Sequence, residues 1–197
     1  MKKTVLIFLT DQYADWEASY VAAELQAPHS EFQMKTVTLD GKPVSSIGGF
    51  KVLPDYSLAD TETIDFYMLI LPGGNTWRQP ETVPVKELIA RCVSNNIPVA
   101  AICDATVFLG RYDFLDGVKH TSNSLENLKE GAPNYVGESD YIHAQSVRGG
   151  NLITANGTAP LEFARDILKL LKVREDEKID AWYHFFKAGS VDNLTSN

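Results

Sequence analysis

The feature that most restricts the fold is the run Ile97-Pro98-Val99-Ala100-Ala101-Ile102-Cys103-Asp104-Ala105-Thr106-Val107-Phe108-Leu109-Gly110. Residues 99–102 are apolar without alternation and follow the turn-like pair Asn95-Asn96, the pattern of a parallel strand covered on both faces. Beyond Cys103 the period becomes helical, with Val107, Phe108 and a closing glycine at Gly110. Cys103 therefore stands where a strand hands over to a helix, and the small Ala100, Ala101 and Ala105 leave room for a sharp turn. A thiol at that point lies near the positive end of the helix dipole, which favours thiolate, and the turn lifts it out of the sheet. The competing reading is packing, because free cysteine commonly behaves as a small buried hydrophobe. For Cys92, on an apolar stripe with Val85, Leu88 and Ile89, packing is the better account.

The rest of the chain alternates strands and helices. Strands are expected over 4–9, 32–39, 66–71, 99–102 and 152–155, with extended segments over 50–53, 118–122 and 141–148. Helices are expected over 16–26, 83–94, 160–171 and 179–187, besides the one after Cys103. Gly149-Gly150-Asn151 reads as a tight hairpin turn, and residues 189–197 as a frayed tail. With no repeat and no linker, the expectation is one α/β domain over 1–197 with a mostly parallel sheet.

Composition narrows the partners. The 18 basic and 26 acidic residues give a formal charge of −8, which repels phosphate backbones and anionic membranes, so no nucleic-acid or membrane partner is expected. Two cysteines without metal-type spacing argue against a disulfide scaffold and for a reducing, cytoplasmic setting. Lys2-Lys3 followed by apolar residues imitates a signal peptide, but the run stops at Thr10-Asp11 with no small-residue cleavage site after it. No phosphate-binding loop, nucleotide fingerprint or zinc-ligand spacing is present, so neither cofactor nor metal is expected.

In parallel sheets ligands gather at the carboxyl ends of strands. Three loops leave such ends: residues 11–17, Pro72 to Trp77, and Cys103 itself. The N–H groups of Gly73 or Gly74, together with that of Asp104, suit an oxyanion hole, although a Gly-Gly pair serves equally as a plain turn. Glu17 beside Trp16 suits a carboxyl kept protonated by an apolar pocket, able to donate a hydrogen bond to sulfur; the alternative is a surface residue complementing the helix dipole. Asn75 and Trp77 flank the proposed hole, Trp77 either walling a small pocket or packing elsewhere.

Ile70-Leu71-Pro72-Gly73-Gly74-Asn75, then Ala100-Ala101-Ile102-Cys103, with Asp15-Trp16-Glu17 ahead of both, resemble the DJ-1/PfpI (ThiJ) family of the class I glutamine amidotransferase-like superfamily. Val52-Leu53-Pro54-Asp55 and the segment 152–158 extend the likeness over nearly the whole chain. The resemblance implies a three-layer α/β/α sandwich with a flavodoxin-like sheet and a strand-to-helix nucleophile elbow. It implies Cys103 as nucleophile, Glu17 as its protonated carboxyl partner, and Gly73, Gly74 and Asp104 as backbone donors. It also implies homodimers or larger assemblies, and functions that range from intracellular proteases and cofactor-free glyoxalases to chaperone-like and redox-sensing stress proteins. Protease-like members carry histidine directly after the cysteine, where this chain has Asp104, which is too acidic to accept a thiol proton well at neutral pH. His120 is the first candidate to replace that histidine and His143 the second; His29 and His184 read as surface and packing residues. Two functions follow: a cysteine-dependent hydrolase or glyoxalase-like enzyme acting on a small carbonyl, amide or peptide, or a redox-sensing or chaperone-like protein using Cys103 as an oxidisable thiol.

Overall fold

The central strands are apolar on both faces because helices cover both. In the computed structural model, which describes residues 2–189, β1 (Lys3–Phe8) is followed by α1 (Ser19–Leu25), β2 (Phe32–Thr38), the short β3 (Val44–Ser45), β4 (Lys51–Val52) and β5 (Tyr56–Ser57), and then β6 (Met68–Leu71). Next come α2 (Val85–Ser94), β7 (Val99–Ile102), α3 (Asp104–Arg111) and α4 (Leu125–Gly131). The chain continues through β8 (Ser146–Gly149), β9 (Leu152–Ala155), α5 (Pro160–Leu170) and α6 (Asp176–Ala188). Seven strands form one sheet in the order β5-β2-β1-β6-β7-β9-β8, parallel throughout except for β8 against β9, while β3 and β4 make a separate antiparallel hairpin. Among the described residues no helix is long and apolar enough to cross a membrane.

Two cores result, one on each face. Leu69, Leu71, Val99 and Ala101 pack with α2, α3 and α4 through Leu88, Ile89, Phe108 and Leu128. Met68, Ile70, Ala100 and Ile102 face α1, α5 and α6 through Val21, Leu25, Phe163, Ile167 and Ile179. Every residue of β6 and β7 is thus buried, the arrangement that an uninterrupted apolar strand permits. The three-layer α/β/α sandwich with a mostly parallel sheet is the observed fold.

Several local expectations change. Helix α3 does not close at Gly110 but runs through it to Arg111, because a side chain there would meet Leu128 Cδ1 at 2.9 Å; the glycine admits α4 rather than ending α3. Helix α4, absent from the sequence reading, starts at Ser124, whose hydroxyl accepts the Asn127 N–H at 3.0 Å. The extended segments 118–122 and 141–148 shrink to one bridge between His120 and Tyr141 plus β8. Helix α1 begins at Ser19 and α6 at Asp176. The hairpin turn is as expected, with Gly149 paired to Leu152 and Gly150 at φ 65°. Of the expected frayed tail, residues 190–197 lie outside the described residues.

Candidate active site

Strand β1 has β2 on one side and β6 on the other, so the chain reverses its direction of growth between β1 and β6. Loops from the carboxyl ends of β1, β6, β7 and β9 meet there, at the switch point where parallel sheets bind ligands.

Cys103 links β7 to α3 with φ 60° and ψ −130°. A side chain held in that region costs about 1–3 kcal/mol and persists only where the surroundings fix it. The fixing bonds are local: its N–H donates to the Ala155 carbonyl at 2.9 Å, and its carbonyl accepts the Thr106 N–H at 3.0 Å and the Thr106 hydroxyl at 2.6 Å. The residue is half-buried and opens onto a cleft of about 390 Å³ that also has Trp16, Glu17, Gly74, Asn75, Arg78, Asp104 and Asn123 in its walls.

Glu17 is 1% exposed. It stands in the turn ahead of α1, not within the helix, and its Oε2 accepts the Gly73 N–H at 2.5 Å. Oε1 is buried without a partner. A Cβ on Gly157 would stand 3.0 Å from Cys103 Sγ and 3.2 Å from Glu17 Oε1, so sulfur and carboxyl oxygen share the small space over that glycine. Burial lifts the Glu17 carboxyl to about 7, opposed by the hydrogen bond from Gly73. Burial, then the Glu17 charge, push the Cys103 thiol up to about 11, against hydrogen bonds from Asn123 and the Asp104 N–H. The helix-dipole argument predicts a lowered thiol; desolvation outweighs it. Facing each other over Gly157, the two groups titrate as a coupled pair.

Asn123, which sequence reasoning missed, and Trp16, named there only as the apolar neighbour of Glu17, complete the enclosure. Asn123 Nδ2 donates to Cys103 Sγ at 3.3 Å while its Oδ1 accepts the Gly157 N–H at 2.9 Å, which fixes the amide's orientation. Trp16 Nε1 donates to the Gly157 carbonyl at 3.1 Å. The Gly157 peptide is therefore held from both sides. Its only sequence signal was its place in the segment 152–158; Asn123 had none.

The expected donors divide. The Gly73 N–H is spent on Glu17, so it is unavailable to an oxyanion while that bond stands. Gly74 is in the cleft wall at φ 154°, with Gln12 O only 2.5 Å from where a Cβ would sit, so glycine is required there. Asp104, the first residue of α3, follows Cys103 directly and lines the cleft beside it. Asn75 lines the cleft and is braced by its N–H to Gln12 O at 3.1 Å and its Nδ2 to Gln12 Oε1 at 3.2 Å.

Two expected residues are elsewhere. Trp77 is fully buried, packed between Phe8 and Phe108, with Nε1 donating to the Pro72 carbonyl at 2.7 Å; it supports the loop from below and is not in the cleft wall. His120 is also fully buried, and its ring nitrogens meet the Val118 carbonyl and the Tyr135 hydroxyl, each at 2.6 Å. It is not in the cleft wall, and burial lowers its affinity for a proton.

An α/β/α sandwich with a strained cysteine elbow and a buried carboxyl across from it defines a class of thiol proteins. The chain belongs to the DJ-1/PfpI family, whose model matches residues 3–170. It is 37% identical over 193 residues to "Uncharacterized protease YdeA" of Bacillus subtilis, covering 94% of this chain and 95% of the relative. To "Uncharacterized protease YoaZ" of the same organism it is 34% identical over 191 residues, covering 94% and 91%. The solved structure of a thiJ/pfpI family protein from Bacillus anthracis superposes with a TM-score of 0.89 at 34% identity, covering 98% of this chain and 94% of the other.

Proposed function

We propose that Cys103 is the nucleophile of a thiol-dependent enzyme, hydrolase or glyoxalase-like, acting on a small carbonyl, ester or amide compound. The observation that carries this reading is the pairing of a strained, cleft-facing sulfur with a carboxyl that burial holds near 7. As the sulfur attacks a carbonyl carbon, the thiol proton passes to Glu17 Oε1, the oxygen without another partner. The carbonyl's electron pair moves to its oxygen, which the Asp104 N–H and the Asn123 amide are near enough to the sulfur to receive. In the hydrolase reading the adduct collapses by breaking the bond to the leaving group, Glu17 gives the proton to the departing alkoxide or amine, and water then cleaves the thioester to restore the thiol. Without an imidazole beside the sulfur, amide and peptide bonds, whose amine leaving group must be protonated as it departs, are expected to turn over more slowly than esters. The two relatives' names say protease, which agrees with a hydrolytic cysteine but not with this neighbour.

The same donors favour a second reading, in which Cys103 is oxidised by peroxide to a sulfenic acid with release of water, as a stress sensor. A cytoplasmic setting and a homodimer or larger homo-oligomer belong to both readings. Exposed Phe50 and Leu53, 69% and 77% accessible beside the β3–β4 hairpin, support the assembly. One experiment separates the readings: turnover of methylglyoxal and p-nitrophenyl acetate by wild type and Cys103→Ser, with intact mass after mild peroxide. The enzyme reading expects turnover lost in the variant, and fails if both proteins react equally slowly. Oxygen on Cys103 alone, without turnover, selects the sensor; oxygen spread equally over Cys92 and Cys103 removes it.

A further inference from the structure

Asp104 is out of place in this chemistry: a second carboxylate directly after the nucleophile opposes any negative charge on sulfur. Its partner is Arg78. Arg78 Nε stands 3.0 Å from both carboxylate oxygens of Asp104, and Nη2 is 2.6 Å from Oδ1. Nη2 also donates to Asn127 Oδ1 on α4 at 3.2 Å, and Arg111 Nη1 on α3 donates to the Arg78 carbonyl at 3.1 Å. At Gly131 a Cβ would lie 3.0 Å from Arg78 Cζ and 3.1 Å from Nη1, so that glycine makes room for the guanidinium. An exposed arginine normally samples many rotamers; this one is gripped from α3 and α4 while both it and Asp104 stay in the cleft wall.

Resting on the nucleophile reading of Cys103, we infer that Arg78 is a positioning residue that pins and neutralises the Asp104 carboxylate, so that Asp104 adds no unbalanced negative charge beside the ionising sulfur. The charged groups around the sulfur are Glu17 from the β1–α1 loop, Asp104 on α3 and Arg78 from the loop after β6. Glu130 on α4 stands behind Arg78. The guanidinium and the carboxylate thus stand side by side next to the sulfur, with Nη2 and Oδ1 2.6 Å apart.

The test is the rate of iodoacetamide alkylation at Cys103 against pH, followed by peptide mapping so that Cys92 is scored separately. Arg78→Gln is expected to raise the midpoint by about one unit, roughly tenfold slower alkylation at a fixed pH below it. Asp104→Asn is expected to lower the midpoint, since Arg78 then stands uncompensated. The double variant Arg78→Gln with Asp104→Asn is expected to return to the wild-type midpoint, and Arg78→Lys, which keeps the charge without the two-pronged grip, to fall between wild type and Arg78→Gln. An unmoved midpoint in Arg78→Gln overturns the inference, as does a double variant shifted as far as Arg78→Gln alone. If Arg78→Gln does not fold, Asp104→Asn decides: a midpoint at or above wild type overturns it. Turnover separates this from the underlying reading. Full activity in Cys103→Ser removes the nucleophile while leaving the midpoint shifts standing; absent shifts with an inactive Cys103→Ser remove only the role of Arg78.

Discussion

Both ring nitrogens of His120 are engaged at 2.6 Å in a site closed to solvent, so its contribution is to structure. His120→Ala leaves the Val118 carbonyl and the Tyr135 hydroxyl without their partner and opens a cavity, an expected loss of about 2–4 kcal/mol in urea unfolding. The alkylation midpoint of Cys103 is expected to stay at its wild-type value in the same variant. A shifted midpoint with unchanged stability would return His120 to the chemistry. The contrast between His120 and Asn123 explains which residues the sequence made legible. Cys103, Glu17 and the Gly73-Gly74 pair announce themselves locally, through a strand end, a loop or a glycine motif. Asn123 acts through Gly157, 34 positions away, and Arg78 through Asp104, 26 away. Such contacts depend on which loops the fold brings together, which local pattern does not encode.

Among the elements, the long apolar strands were readable because their burial on two faces leaves no alternation to misread. Helix α4 was not, since its seven residues, Leu-Glu-Asn-Leu-Lys-Glu-Gly, contain just two large apolar side chains and end in glycine. The segment around Thr121 looked like a strand, yet its N–H goes to the Thr154 hydroxyl at 2.8 Å rather than to a backbone partner, so no ladder forms. The β3–β4 hairpin is too short to support itself and leaves Ile47, Phe50 and Leu53 exposed at 44%, 69% and 77%. A protruding apolar arm of this kind is the element on which self-association is expected to depend. Sedimentation velocity at tens of micromolar should return at least twice the 21.8 kDa of one chain, and Phe50→Glu with Leu53→Glu should return a single chain with an unchanged far-UV spectrum. An unaltered mass in that double variant moves the interface elsewhere.

At the scale of the whole molecule, the switch point concentrates function and instability together. The fold has closed three loops over Glu17, and the carboxyl that burial holds near 7 would titrate near 4.5 in an unfolded chain. A carboxyl raised by folding contributes its full share of stability below the unfolded value and loses it as pH climbs through the folded one. The window is therefore pH 4.5 to 7, and the loss across it is about 3 kcal/mol at roughly 1.4 kcal/mol per unit. Other groups titrate in the same range, so the measurement is a difference: urea unfolding of wild type and Glu17→Gln at pH 5 and pH 8. Glutamine keeps an oxygen for the Gly73 N–H but carries no proton to lose, so its stability should fall less between the two pH values than that of wild type, by up to those 3 kcal/mol. Cys103 does not confuse the comparison, because burial moves its titration upward, beyond pH 8. Parallel pH profiles for the two proteins would mean that Glu17 ionises as freely in the folded molecule as in the unfolded chain, and a carboxyl of ordinary acidity would be too weak a base at neutral pH to take the proton from the sulfur.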